Sequence, residues 1–336
     1  MNISIRTMDD DIREIDVVSA QGQRVSLLSV GAALTSWRTD SGIDIVAAYQ
    51  NVTDYRKGGM YLGTTVGPIA GRVENGVFAI GGKTYRSPEN PPHFLHGGID
   101  SIAFRNFADE IEKNGPEEAV VRFTHRFRHH LIPGTIDVSI RYVIRHGMIR
   151  IVYDATSDEP TVSNFTNHSY FNLDGDFARD LSNHELLIKA DRVVLVDDDI
   201  LGRTIAPVKG TPFDFTTKKA IMPSVLEIKG TGHASRGIDH YYLFEPGAKA
   251  PQVELTSLKT GLTLSVSTTT PGVTVYTGNY PKENPLRSGG TLAQHGSICF
   301  ETQFQSNAMN DPRFVPALVS PERPWHQETT FSLGGM

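Results

Sequence analysis

Residues 135–155 read TIDVSIRYVIRHGMIRIVYDA. Ile136, Val138, Ile140, Tyr142 and Ile144 alternate with Thr135, Asp137, Ser139, Arg141 and Arg145, and Val143 is the one apolar residue on the polar side. Period two marks a strand with one buried face, because successive side chains of an extended chain point to opposite sides. His146-Gly147 turns the chain, and the alternation resumes at Ile149, Ile151, Tyr153 and Ala155. Two such runs around a short glycine-containing turn predict an antiparallel hairpin.

The pattern spreads outward from there. Val253 and Leu255, a turn at residues 259–261, then Leu262, Leu264 and Val266 predict a second hairpin. Residues 76–80 and 83–86 around Gly81-Gly82 predict a third. Residues 119–127, 185–190 and 297–304 also read as strands. Glycine (31) and proline (19) exceed their usual share, as a chain with many turns requires. Helical signals are few: residues 213–224 are the expected place for a short helix, limited by its prolines. The strand–helix–strand rhythm of a parallel sheet is absent. Hairpin signals run from residue 3 to residue 333 with no long linker, internal repeat or low-complexity tract. Residues 1–336 are therefore expected to form a single all-β domain.

Composition narrows the class of protein. A chain of 336 residues can bury about three-quarters of its unfolded surface. Hydrophobic residues are 39% and charged residues 21%, as in globular proteins. Lys+Arg number 32 and Asp+Glu 38, a net charge of −6 with no basic block. That balance argues against nucleic acid or an anionic membrane as partner. No apolar run approaches the roughly 18 residues of a membrane span, and the start lacks the apolar core of a signal peptide, so a cytoplasmic location is expected. Cys299 is the only cysteine, which excludes an intrachain disulfide and a cysteine-based zinc site.

Several chemical motifs fail on inspection. Gly81-Gly82-Lys83-Thr84 lacks the spacing of a phosphate-binding loop and sits in a hairpin. No G-x-G-x-x-G follows a strand, and there is no G-x-S-x-G elbow. There are 12 histidines, with His93 and His96 three apart and His129 next to His130, but no H-E-x-x-H helix. No metal site is expected.

Four segments place ionisable groups among aromatic neighbours. In Pro92-His93-Phe94-Leu95-His96-Gly97-Gly98, His96 precedes glycines that let backbone turn close to a ligand. In residues 164–173, an extended chain puts Thr166, His168 and Tyr170 on one face. In residues 297–304, Cys299, Glu301 and Gln303 share one face, with Ile298, Phe300, Thr302 and Phe304 on the other. A carboxylate in such a strand is rarely buried without a partner and is suited to a cleft where its pKa can be tuned. Asp239 enters an aromatic strand in residues 237–242, and Arg72 adds a forked donor suited to hydroxyls or carboxylates. One Glu, two His, one Asp and one Arg, with no activated Ser or Cys, suit proton transfer on a neutral polyol.

Taken jointly, FTNHSYFNL (165–173), HFLHGG (93–98), DHYY (239–242), TTTPGVTVYTGN (268–279) and ETQFQSNAMNDPRFVPALVSPERPWH (301–326) resemble the aldose 1-epimerases, the galactose mutarotase family. The resemblance implies a large antiparallel β-sandwich of the galactose mutarotase type with few short helices and an open carbohydrate cleft. It implies His168 and Glu301 as the catalytic pair, and His96, Arg72 and Asp239 as sugar contacts. It also implies a monosaccharide as the partner, no cofactor and no metal, in a monomer or homodimer. Members usually carry Asn before the arginine and Pro-Asp-Ala at residues 306–308, and many carry Gln at the position of Thr274. Here those places hold Gly71, Thr274 and Ser306-Asn307-Ala308. Gly71 is expected to leave space beside the sugar and so to loosen sugar preference.

The implied chemistry opens and recloses a pyranose ring. Glu301 would take the C1 hydroxyl proton as a carboxylate, and His168 would protonate the ring oxygen as an imidazolium with a pKa near 6.5. Tyr170 and Tyr241 are expected to supply rings to the sugar face. A hexose 6-phosphate epimerase would need a cluster of Lys and Arg, and a non-catalytic sugar binder on the same scaffold would not need both His168 and Glu301.

Overall fold

The computed structural model describes residues 1–57, 59–87 and 93–335. The hairpin predicted from residues 135–155 is present as strands Ile136–Arg145 and Met148–Ser157, paired from Ile136↔Ser157 to Arg145↔Met148. Its apolar positions are buried and Asp137, Ser139 and Arg141 face outward. These two strands lie inside a nine-stranded sheet that also holds Ala119–Phe127, Val253–Ser257, Thr263–Thr268 and the C-terminal strand Trp325–Gly334. The hairpin at Gly81-Gly82 pairs Val77–Ile80 with Lys83–Arg86.

A six-stranded antiparallel sheet covers the nine-stranded one. Its order is Tyr170–Phe171, Ile298–Thr302, Gly272–Tyr276, Asp239–Leu243, Arg192–Val196 and Gly202–Pro207. The layers meet through Ile298, Phe300, Val273, Val275 and Tyr242 from one side and Ile140, Ile151, Leu264 and Phe331 from the other, all in one hydrophobic core. The Phe171 ring lies 5.3 Å from Phe331 across the interface. Truncating so large a buried ring to Ala costs about 3–5 kcal/mol. A four-stranded N-terminal sheet, Asn2–Thr7 to Ala33–Arg38, completes the β-sandwich.

The helix expected over residues 213–224 is displaced. Residues 213–218 form turns, and the single α-helix among the described residues is Ile221–Gly230. Pro223, read as a limit, sits in the first helical turn, where backbone N–H groups have no intrahelical acceptor to lose. No helix among the described residues is long and apolar enough to cross a membrane.

Candidate active site

Alternation in the strand Ile298–Thr302 decides where the site lies. Ile298 and Phe300 enter the sandwich core, so Cys299, Glu301 and Gln303 take the opposite face. The strand is interior, paired with Tyr170–Phe171 on one side and Gly272–Tyr276 on the other. Register then carries two rows across that face. One runs Tyr170, Cys299, Tyr276, Asp239, and the next runs Glu301, Thr274, Tyr241, Val194. A cleft opens over the second row, lined by Glu301, Asp239, Arg72, His96, Tyr241 and Gln303 among others.

His168 lies behind the cleft residues Glu301 and His96, in a break between two short strands, Thr166–Asn167 and Tyr170–Phe171. Its backbone is fixed on both sides: its N–H donates to Thr64 O at 2.9 Å, and its carbonyl accepts from Gly63 N–H at 3.0 Å. Its Nε2 lies 3.5 Å from Glu301 Oε1, with both side chains buried. The Tyr170 ring stacks on it at 5.1 Å. Tyr170 thus backs the histidine, and Tyr241 is the ring that lines the cleft.

Burial acts on the pair in opposite senses. A carboxylate and an imidazolium both lose hydration, so each is driven toward its neutral form. Glu301 is pushed up to about 8, by burial and then by the neighbouring Asp239, while Arg72 opposes the rise. His168 is pushed down to about 4 by burial. The expected imidazolium with a pKa near 6.5 is therefore not the resting form. At neutral pH the pair holds one proton, and it rests on the carboxyl.

His96 sits in the left-handed region at φ +51°, held by a reciprocal contact with Gly71. Its N–H donates to Gly71 O, and its Nδ1 accepts the Gly71 N–H, each at 3.0 Å. Burial, then His168 and Arg72, keep the ring well below its ordinary pKa. A neutral imidazole that accepts at Nδ1 carries its proton on Nε2, so His96 offers the cleft a fixed donor. His129 braces this loop: its Nε2 lies 2.7 Å from Gly97 O, and its Nδ1 accepts from Leu131 N–H. Nothing in the spacing of His129 foretold that task. Arg72 and Asp239 approach to 3.8 Å, and burial raises the Asp239 carboxyl against the opposing pull of Arg72.

The five residues singled out from sequence thus converge. The departures from the family pattern divide. Thr274 lines the cleft and Gly71 lines it beside Arg72. Asn307 does not: its Oδ1 accepts from Glu74 N–H and Asn310 Nδ2, tying the loop below. The space expected beside Gly71 is filled. Gly71 has φ +76°, and a Cβ there would stand 1.8 Å from Ser306 Oγ. Sequence reasoning missed Ser306 and Gln305 as lining residues, although extending the alternation of Glu301 and Gln303 by two would have found Gln305. The apolar wall of Val194, Val196 and Leu201 carries no chemical signal in sequence.

Donor atoms of His96, His168 and Glu301 lie within 4.8 Å of one another, close enough for a divalent ion. Such an ion would have to displace the carboxyl proton and share the site with the Arg72 cation. Asp100, His129 and His130 form a second close group, with His129 engaged as described and His130 Nδ1 2.5 Å from Asp100. His93, also noted in sequence, accepts from Asn75 N–H and faces Asp199 at 3.9 Å.

Comparison with known proteins agrees with this geometry. The family model described as aldose 1-epimerase matches residues 14–332. The chain is 32% identical to a galactose mutarotase of Mus musculus over 91% of this chain and 90% of that protein. It is 30% identical to an aldose 1-epimerase of Haemophilus influenzae over 89% and 88%. A galactose 1-epimerase from Lactobacillus acidophilus superposes with a TM-score of 0.85 at 27% identity, covering 99% of this chain and 98% of that one. A sandwich whose interior strand turns a carboxyl toward a loop-borne histidine, matched over nearly its full length, belongs to the aldose 1-epimerase family.

Proposed function

We propose that this chain interconverts the α and β anomers of a free aldose such as glucose or galactose, with no cofactor, as one domain in the cytoplasm. The observation that supports it is the buried His168–Glu301 pair, 3.5 Å apart beside the cleft. Ring opening begins with the ionic arrangement of that pair. The Glu301 carboxylate takes the C1 hydroxyl proton, the C1=O bond forms and the C1–O5 bond breaks. O5 takes the proton of the His168 imidazolium. The pair is then neutral, the arrangement that burial favours, and so it stabilises the opened sugar. Rotation about C1–C2 presents the other face of the aldehyde, and closure returns both protons. His96 Nε2–H donates to the carbonyl oxygen, and Arg72 and Asp239 hold ring hydroxyls.

Arg72 is the one Lys or Arg lining the cleft among the described residues, and it already faces Asp239. That disfavours a hexose 6-phosphate, whose dianion needs more cations. Polarimetry on freshly dissolved α-glucose, α-galactose, arabinose, xylose and glucose 6-phosphate tests the proposal. The neutral sugars should equilibrate faster with protein than without. No acceleration of any of them refutes it.

A further inference from the structure

The side of the cleft formed by residues 303–306 has no role in the chemistry above, yet it is built with care. Gln303 is 1% exposed. Its backbone is tied to the sheet: the carbonyl accepts from Tyr241 Oη at 3.1 Å, and the N–H donates to Gly272 O at 3.3 Å. Its Nε2 donates to Ser306 Oγ at 3.0 Å. Its Oε1 has no hydrogen-bond partner among the described residues, and the Gln305 Oε1 has none either. Both residues line the cleft. A buried carbonyl oxygen without a donor is costly, and a site that holds one favours a ligand that brings a donor.

Ser306 Oγ anchors one end of that amide: it accepts from Nε2, and Oε1 keeps no partner among the described residues. Ser306 can stand there only because residue 71 has no side chain: a Cβ at 71 would lie 1.8 Å from Ser306 Oγ, 2.6 Å from its Cβ and 3.3 Å from Gln303 Nε2. Gly71 and Ser306 are thus two halves of one fit. Where the family pattern has Asn at residue 71 and Pro at residue 306, this chain has Gly71 and a serine that touches the Gln303 amide.

Taking the cleft as the site of a free aldose, we propose that Gln303 Oε1 accepts a hydrogen bond from one ring hydroxyl remote from C1, and that Ser306 is the positioning residue for it. The pair selects among aldoses by whether that hydroxyl is present and correctly oriented. It acts on binding and leaves proton transfer to His168 and Glu301.

The test measures anomerisation of glucose and of its 2-, 3-, 4- and 6-deoxy forms by wild type, Gln303→Met and Ser306→Ala. For glucose, each variant should raise KM about threefold to tenfold, the worth of one neutral hydrogen bond, with kcat within twofold. One deoxy sugar should show that same rise with wild type and no further rise with either variant. The other deoxy sugars should remain sensitive to both substitutions. Equal losses on every sugar, a fall in kcat alone, or no change overturns the assignment while leaving the anomerase reading intact. If wild type accelerates no sugar, that reading falls. Calorimetric binding of the same five sugars to the same three proteins then decides the role of Gln303 by the same pattern in Kd. Ser306→Ala removes one half-buried hydroxyl and keeps the comparison available if Gln303→Met fails to fold.

Discussion

Replacing Glu301 with Gln should abolish activity and, at the same time, make the protein more stable as pH rises. The folded carboxyl has its pKa raised from 4.5 to about 8. Between those values the folded state holds a proton that the unfolded state has released. Stability then falls with increasing pH, because its slope follows the protons bound unfolded minus those bound folded. A full proton corresponds to about 1.4 kcal/mol per pH unit. His168 acts with opposite sign in a lower window. Its folded pKa is depressed to about 4, so its contribution is fully present above its unfolded value near 6.5 and is lost as pH falls from there through the folded value. Between pH 7 and pH 8 the glutamate therefore dominates, and wild type should lose about 1 kcal/mol relative to Glu301→Gln, whose amide does not titrate. Urea unfolding of both proteins at the two pH values reads this difference directly, and any constant cost of the amide cancels. Anomerisation by Glu301→Gln should fall about 10²–10⁴-fold. A stability gap identical at pH 7 and pH 8 would refute the protonated resting carboxyl. Activity within threefold of wild type would refute its role as base.

His168→Asn should lower kcat by about 10²–10⁴-fold with little change in KM, because the proton moves only as the ring opens; steady-state polarimetry checks this, and a rise in KM with kcat preserved would make His168 a binding residue. Treatment with EDTA should leave activity unchanged, and a loss restored by a divalent ion would assign His96, His168 and Glu301 to a metal instead. Gly71→Asn should lower Tm, since its side chain meets Ser306 at a left-handed backbone position, an overpacking cost of about 1–3 kcal/mol. An unaltered Tm would mean that the 303–306 segment moves aside freely.

Much of the fold was legible because β-alternation is a local signal. Ile136 to Ala155 announce their own hairpin, and Cys299, Glu301 and Gln303 announce their common face. What joins distant segments was not local. No property of residues 253–268 says that they pair with the C-terminal strand, and the helix was misplaced because Pro223 was weighed without knowing it occupied a first turn. In the candidate site, ionisable residues among aromatic neighbours stood out, so His96, His168, Asp239 and Glu301 were singled out before the fold showed that they lie together. Protonation was not legible, since it depends on burial that only the folded layers create. The filled space at Gly71 was hidden for the same reason: Ser306 is 235 positions away in the chain.

The His168–Glu301 pair and the 303–306 wall are held by different kinds of bond, and this bears on how such an enzyme can change its diet. Glu301 is fixed by ladder bonds on both sides of its strand, and His168 by its own backbone to Gly63 and Thr64. Those bonds survive almost any exchange of neighbouring side chains. Ser306, Gln303 and Gly71 depend on one another's side chains, or on the lack of one. A lineage could therefore retune which sugar it accepts by trading at residues 71 and 306 together, without passing through a form that has lost the reaction. Either change alone meets a clash or an unsatisfied amide, so the two positions should drift as a linked pair while the chemistry stands still.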